Sequence, residues 1–249
     1  MSYDPHAVLQ AIDENTITVL LFFAAAAICT FIFLIESFRL TLKHAAYSAP
    51  LAAVGWFAMH DLIFVLQYEK WFVEYNHWWC KAWWVALIFT ALIEFTLVGM
   101  VIRYGRKELL PMVSQRQFAA LVIAATLGIG VLWLVIKSVL NDDLYLISFP
   151  VTAFWALPFS TALLVKRQSL RGQSTRLEFC VIGIMLSFQG AFWPLDEVFR
   201  SPAYIALTVL SVFWGATNIW LMRRFPAYEP EQQGNSGINH VESLKLANT

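Results

Sequence analysis

The sequence predicts an all-α, polytopic membrane protein folded as a bundle of seven transmembrane helices. Three observations lead there. Of 249 residues, 59% are hydrophobic and only 14% are charged, whereas about a quarter of the residues of a soluble domain are charged. Mean hydropathy is +0.61. Apolar runs of about 18 residues or more recur along the whole chain, which is the signal of membrane-spanning helices. The net charge is zero, so composition points to the lipid bilayer and gives no sign of a nucleic-acid partner.

The spans fall at 17–38, 50–68, 82–104, 118–137, 144–165, 177–196 and 203–223. The first follows an acidic start with Asp4, Asp13 and Glu14. A cleavable signal peptide has a basic start and a shorter core, so none is expected. Near the end of this span Glu36 and Arg39 are spaced for an i, i+3 ion pair. The second span holds VGWFAMHDLIFVLQ, with His60 and Asp61 in the middle of an apolar run. WFVEYNHWWCKAWW then precedes the third span, and reads as an interfacial aromatic belt or as a lid over an apolar site. The third span carries Glu94 in ALIEFTLVGMVIRYG, and the fourth lies between Arg116 and Lys137. The fifth, YLISFPVTAFWALPFST, contains Pro150 and Pro158, which bend a helix and free its carbonyls beside a cavity. The sixth carries Gln189 at about the depth of Asp61 and ends in FWPLDEVFR; the seventh carries Asn218. Gln189 and Asn218 are suited to hydrogen bonds across helices. The seventh span has no central lysine to hold a retinal. Residues 1–225 form one membrane domain without internal repeats, and the polar tail 226–249 is expected to be disordered.

Loop charges orient the bundle. With the N-terminus outside, the inner segments hold Arg39, Lys43, Arg103, Arg106, Lys107, Arg116, Lys166, Arg167, Arg171, Arg176, Arg223, Arg224 and Lys245. The outer ones hold only Lys70, Lys81, Lys137 and Arg200. By the positive-inside rule the N-terminus is out and the C-terminus in.

Several chemistries leave no trace. There is no Gly-rich phosphate loop and no HExxH or similar metal motif. His6, His44, His60, His77 and His240 are scattered, as are Cys29, Cys80 and Cys180. No disulfide framework, metal or cofactor is expected.

Attention therefore falls on the acids. An ionised carboxylate at mid-membrane is costly and faces the bundle interior or a wet cavity. Asp61 shares a helical face with Phe57, Phe64 and Val65, and His60 with Trp56, Ile63 and Gln67. Asp61 reads either as a structural lock between helices or as a protonated acid that delivers its proton to an apolar substrate. The candidate catalytic residues are Asp61, Glu94 and His60. The candidate substrate-binding residues are Trp56, Phe57, Trp155, Gln189, Trp193, Asp196 and Asn218, with Trp193 and Asp196 at the mouth of a cavity shaped by Pro194.

The order of motifs resembles the integral-membrane terpene cyclases of meroterpenoid and indole-terpenoid pathways. That family has Tyr-x-x-Pro at the entry to its second helix, matched by Tyr47 and Pro50. It continues with Asn-x-x-Trp-Glu, where this chain has Phe57, His60 and Asp61. Its third helix carries an acid and ends in Tyr-Gly, matched by Glu94 and Tyr104-Gly105. Its last helix carries a second catalytic Asp, where this chain has Asn218 followed by Trp220, Arg223 and Arg224. The resemblance implies a proton-initiated reaction on a prenyl chain or its epoxide. Asp61 is then the general acid, tuned or reprotonated by His60, with Asn218 orienting a substrate oxygen. Aromatic faces such as Trp56, Trp155 and Trp193 stabilise the cation. Double-bond isomerisation of a steroid-like lipid, with Glu94 as the base, is a related outcome. The alternatives are a non-catalytic lipid-binding or accessory subunit and a small proton-coupled transporter. The absence of half-to-half symmetry speaks against the transporter.

Overall fold

The computed structural model describes residues 3–226 and 228. The tail expected to be disordered, Pro226 and Tyr228 apart, lies outside the described residues, as do His240 and Lys245. Eight α-helices follow in order: α1 (Pro5–Glu14), α2 (Thr16–His44), α3 (Leu51–Val65), α4 (Trp78–Leu109), α5 (Gln115–Leu140), α6 (Ser148–Arg167), α7 (Thr175–Phe192) and α8 (Pro202–Met222). Six of them, α2 and α4 to α8, are long and apolar enough to cross a membrane. α3 is apolar but has 15 residues, about 22 Å of helix against about 30 Å of hydrocarbon. The chain beyond it continues through a turn into a π-helical turn, Lys70–Glu74.

Local chemistry sets the helix ends. Asp4 caps α1 ahead of Pro5, and Ser201 caps α8 ahead of Pro202, the pairing of an N-cap side chain with a proline that has no N–H to lose. Ser114 and Gln117 form a reciprocal capping box on α5. Asn141 ends α5 in the left-handed region.

The helix ends depart from the expected spans: α2 and α4 run past 38 and 104 to His44 and Leu109, α3 ends at Val65, and the sixth and fifth spans are shortened. The sixth ends at Phe192 rather than 196, because Pro194 cannot continue the ladder and Asp196 instead caps the 3-10 turn Glu197–Arg200. The fifth starts at Ser148 rather than 144, because Asn141–Ile147 folds inward as a loop. The Asp142 carboxylate accepts from the backbone N–H groups of Ile147 (3.1 Å) and Ser148 (2.7 Å) and from the Tyr3 hydroxyl. All three cysteines lie in helices as free thiols.

The two ends of the bundle differ. At the basic end, Arg167 donates twice to Glu108, at 3.1 and 3.0 Å, and Tyr47 donates to the same carboxylate at 3.0 Å. Glu36 and Arg39 pair as their spacing predicts, at 2.7 Å. The opposite end is closed by α1, the Trp-rich segment and the 141–147 loop. There His77 accepts from Trp79 N–H through Nδ1, so its Nε2 carries the proton and donates to Asp13 at 3.1 Å. Trp78 donates to the same oxygen at 2.7 Å.

α3 is the central helix. It packs against α4, α5 and α6, and ten of its 15 residues are buried. The most extensive pairing is between α2 and α7. It depends on two small residues two turns apart on one face of α7. A Cβ on Gly183 would sit 2.7 Å from Cys29 Sγ, and one on Gly190 would sit 2.5 Å from the Phe22 ring.

Gly190→Val overpacks this contact, and we expect a loss of about 1–3 kcal/mol in reversible unfolding. Gly99→Val is the control, since nothing lies within 4 Å of an added Cβ there. A second prediction concerns pH. The bonds from Trp78 and His77 hold the exposed Asp13 carboxyl below its ordinary value. A depressed folded value means that the contact stabilises docking above the unfolded carboxylate range, about pH 4, and is lost as pH falls further. Hydrogen exchange of residues 5–14 should therefore quicken below about pH 4 in the native chain, and in Asp13→Asn it should be fast throughout.

Candidate functional site

Helical spacing brings the mid-chain acids together. On α3, Phe57 and Asp61 are one turn apart on the same face; on α4, Thr90 and Glu94 are likewise. These faces meet, and the Thr90 hydroxyl donates to Asp61 Oδ2. The Glu94 carboxyl lies beside that of Asp61. Glu94 is 5% exposed, and its Oε2 has no hydrogen-bond partner among the described residues.

Both acids line a cavity of about 50 Å³. Its other walls are Thr30, Phe33 and Leu34 of α2, Phe149, Thr152, Ala153 and Ala156 of α6, and Val181 and Ile184 of α7. At about 10–15 Å³ per water, it holds about four waters or a group of similar bulk. α2 and α4 line it together yet touch each other sparsely.

His60 approaches Asp61 from behind the cavity. Its Nδ1 lies 2.8 Å from Asp61 Oδ1. The imidazole is fully buried, and its Nε2 has no partner among the described residues. The ring sits among Trp133, Tyr145 and Phe149, with centroids 4.8, 5.3 and 5.3 Å away. Two carboxyls and one imidazole share this interior. A single histidinium balances one carboxylate, so the cluster is neutral only when a proton remains on the acid pair.

The structure unites some expected residues and separates others. Asp61, Glu94 and Phe57 line the cavity, and His60 supports Asp61. Trp56 stands behind the wall, donating through Nε1 to Thr152 Oγ1 at 2.9 Å. Trp155 and Trp193 do not reach the site; they are 39% and 47% exposed. Ala156 is the residue that lines the cavity, and a helix turns about 100° between neighbours, so Trp155 points elsewhere. Trp193 falls where α7 has already ended, and Asp196 is engaged as the cap of Val198 N–H. Gln189 is a strut, donating to Phe199 O at 3.0 Å and accepting from Thr208 at 2.9 Å. Asn218 belongs to a different cluster, donating to Glu178 Oε2 and to Leu157 O, each at 3.0 Å.

Three groups escaped the sequence reading: Thr90, Thr152 and Glu178. A signal existed for two of them. Thr90 is four residues before Glu94, and Glu178 is an acid inside the sixth span.

No protein-family model matches the chain, and neither a curated protein nor a solved structure matches it.

Thr90→Val keeps the side-chain shape but removes a donor to a buried carboxyl. We expect a loss of about 1–3 kcal/mol in denaturant unfolding, with Thr96→Val, on the exposed face of α4, near neutral.

Proposed function

We propose that this chain is a multi-pass membrane enzyme in which the Asp61–Glu94 pair protonates an isoprenoid or steroid-like lipid and so cyclises or isomerises it. The observation that carries this reading is that Glu94, whose Oε2 has no partner among the described residues, lines with Asp61 a cavity whose remaining walls are almost wholly apolar. The resemblance to membrane terpene cyclases adds to it through Tyr47, Pro50, Asp61, Glu94 and Tyr104-Gly105. Position 218 departs from that pattern, and the acid beside it is Glu178 on α7.

The chemistry follows from the site. One carboxylic O–H breaks, and its proton forms a C–H bond at an alkene or an O–H bond at an epoxide. The resulting cation lies against the faces of Phe33, Phe57 and Phe149. The neighbouring carboxylate then takes a proton from an adjacent carbon, and a new double bond forms. The bound lipid end displaces the cavity water and so keeps it from intercepting the cation. The cavity admits one unsaturated end of a lipid, while the rest of the chain stays in the bilayer. The sparse seam between α2 and α4 is the route of lateral entry.

In this reading α3 and its following turns make a seventh crossing. The charge asymmetry of the loops supports an N-terminus outside and a C-terminus inside.

The test is lipid profiling of host membranes supplied with polyprenyl, epoxy-prenyl and sterol precursors, with native chain, Asp61→Asn and Glu94→Gln at matched folded levels. The native chain should yield a new product. Both variants should reduce it at least about 100-fold, the usual contribution of a general acid. Identical profiles, with the same unaltered lipid co-purifying with all three proteins, would instead support a non-catalytic lipid-binding role.

A further inference from the structure

Glu178 is a further buried acid, 2% exposed, that the chemistry above does not use. Its Oε2 accepts from Asn218, and its Oε1 meets the Ser160 hydroxyl. Ser160 Oγ also lies 2.9 Å from Gln173 Oε1. A hydroxyl has one hydrogen to donate. The Gln173 amide is oriented by its NH₂, which donates to Ser48 O, so its Oε1 is the acceptor for Ser160. The contact between Ser160 and Glu178 is then satisfied when Glu178 is protonated and donates to Ser160.

This acid borders a second cavity of about 20 Å³, which reaches Ser48, Pro50 and Gln173 in the loops at the basic end. The two cavities have Phe33, Ala156 and Val181 in common, so they are neighbours across these residues. On α3, Ala53 lines the second cavity and Asp61 the first. Eight residues of helix span about 12 Å. Four or five waters spaced at about 2.8 Å cover that distance, and the combined space accommodates about that number.

The geometry points to Glu178 as the relay through which protons from the basic end of the bundle reach the Asp61–Glu94 pair. The Glu178 O–H bond breaks and its proton passes to the first cavity water. Each water hands one proton on, and the last forms an O–H bond on a carboxylate of the pair. Glu178 takes a replacement proton from solvent at the Ser48–Gln173 loops, so one proton moves and no charge is left behind. The relay rests on the reading above in that it loads the one proton that the pair holds before turnover and regains after it, but its test needs no lipid substrate.

The experiment is time-resolved infrared spectroscopy of the full chain in liposomes on transfer to D₂O, following the downshift of protonated carboxyl bands. Asp61→Asn, Glu94→Gln and Glu178→Gln assign the bands. In the native chain the Glu178 band should exchange before that of the pair. Glu178→Gln should slow exchange at the pair at least tenfold. Ala156→Leu, which enlarges a residue lining both cavities without removing an acid, should slow it in the same direction. Exchange of the pair ahead of Glu178, or an unchanged rate in both variants, would overturn the relay. If Glu178→Gln does not fold, the native order and Ala156→Leu still decide. A preserved order with no lipid product would reject the enzyme and keep the relay; a lipid product with the reverse order would do the opposite.

Discussion

Two carboxyls in the interior of an apolar bundle are the constraint on which the other features depend. Moving such groups out of water is tolerable only when each is hydrogen-bonded, charge-balanced or protonated. Asp61 obtains a hydroxyl from Thr90 and an imidazole from His60. Glu94 obtains its neighbour's carboxyl and an open cavity. These partners come from α3 and α4, so those two helices must meet at one rotational setting.

That requirement accounts for the position of α3. A helix carrying His60 and Asp61 suits the centre better than the lipid-facing rim, and there its neighbours α4, α5 and α6 supply cover that its short length does not. The 141–147 loop completes the cover. It turns inward so that Tyr145, at φ 61°, places its ring against His60. Such a backbone conformation is strained for a bulky residue, and the Asp142 bonds at the start of α6 hold it in place. On the far side of the bundle, two glycines let α7 approach α2 closely, which brings Val181 and Ile184 to the cavity wall.

Much of this was legible in the residues. Hydropathy located the long helices because solvation by lipid is a sum over neighbouring residues. Asp61 and Glu94 stood out because acids are rare in such runs, and Glu36 with Arg39 because i, i+3 spacing is local. The aromatic residues were harder to place. Trp155, Trp193 and Asp196 were assigned to the site by type and depth, but depth says nothing of direction around the helix. Trp155 and Ala156 differ by one residue and face different surroundings. Thr90 and Glu178 were overlooked for the converse reason, since their partners lie 29 and 18 or more residues away in the chain.

The sequence by itself determined which segments are apolar enough to enter a membrane, that Glu36 and Arg39 are spaced to pair, and that two acids lie deep in adjacent spans. These are one-dimensional properties, set by composition, spacing and the chemistry of neighbouring residues. Only the tertiary structure decided that Asp61 and Glu94 share one cavity, that His60 turns its free nitrogen among aromatic rings, and that Asn218 sits with Glu178 instead. Those outcomes depend on how each helix is rotated about its axis against the others. That rotation is settled by side chains packing together across the bundle, among residues far apart in the chain.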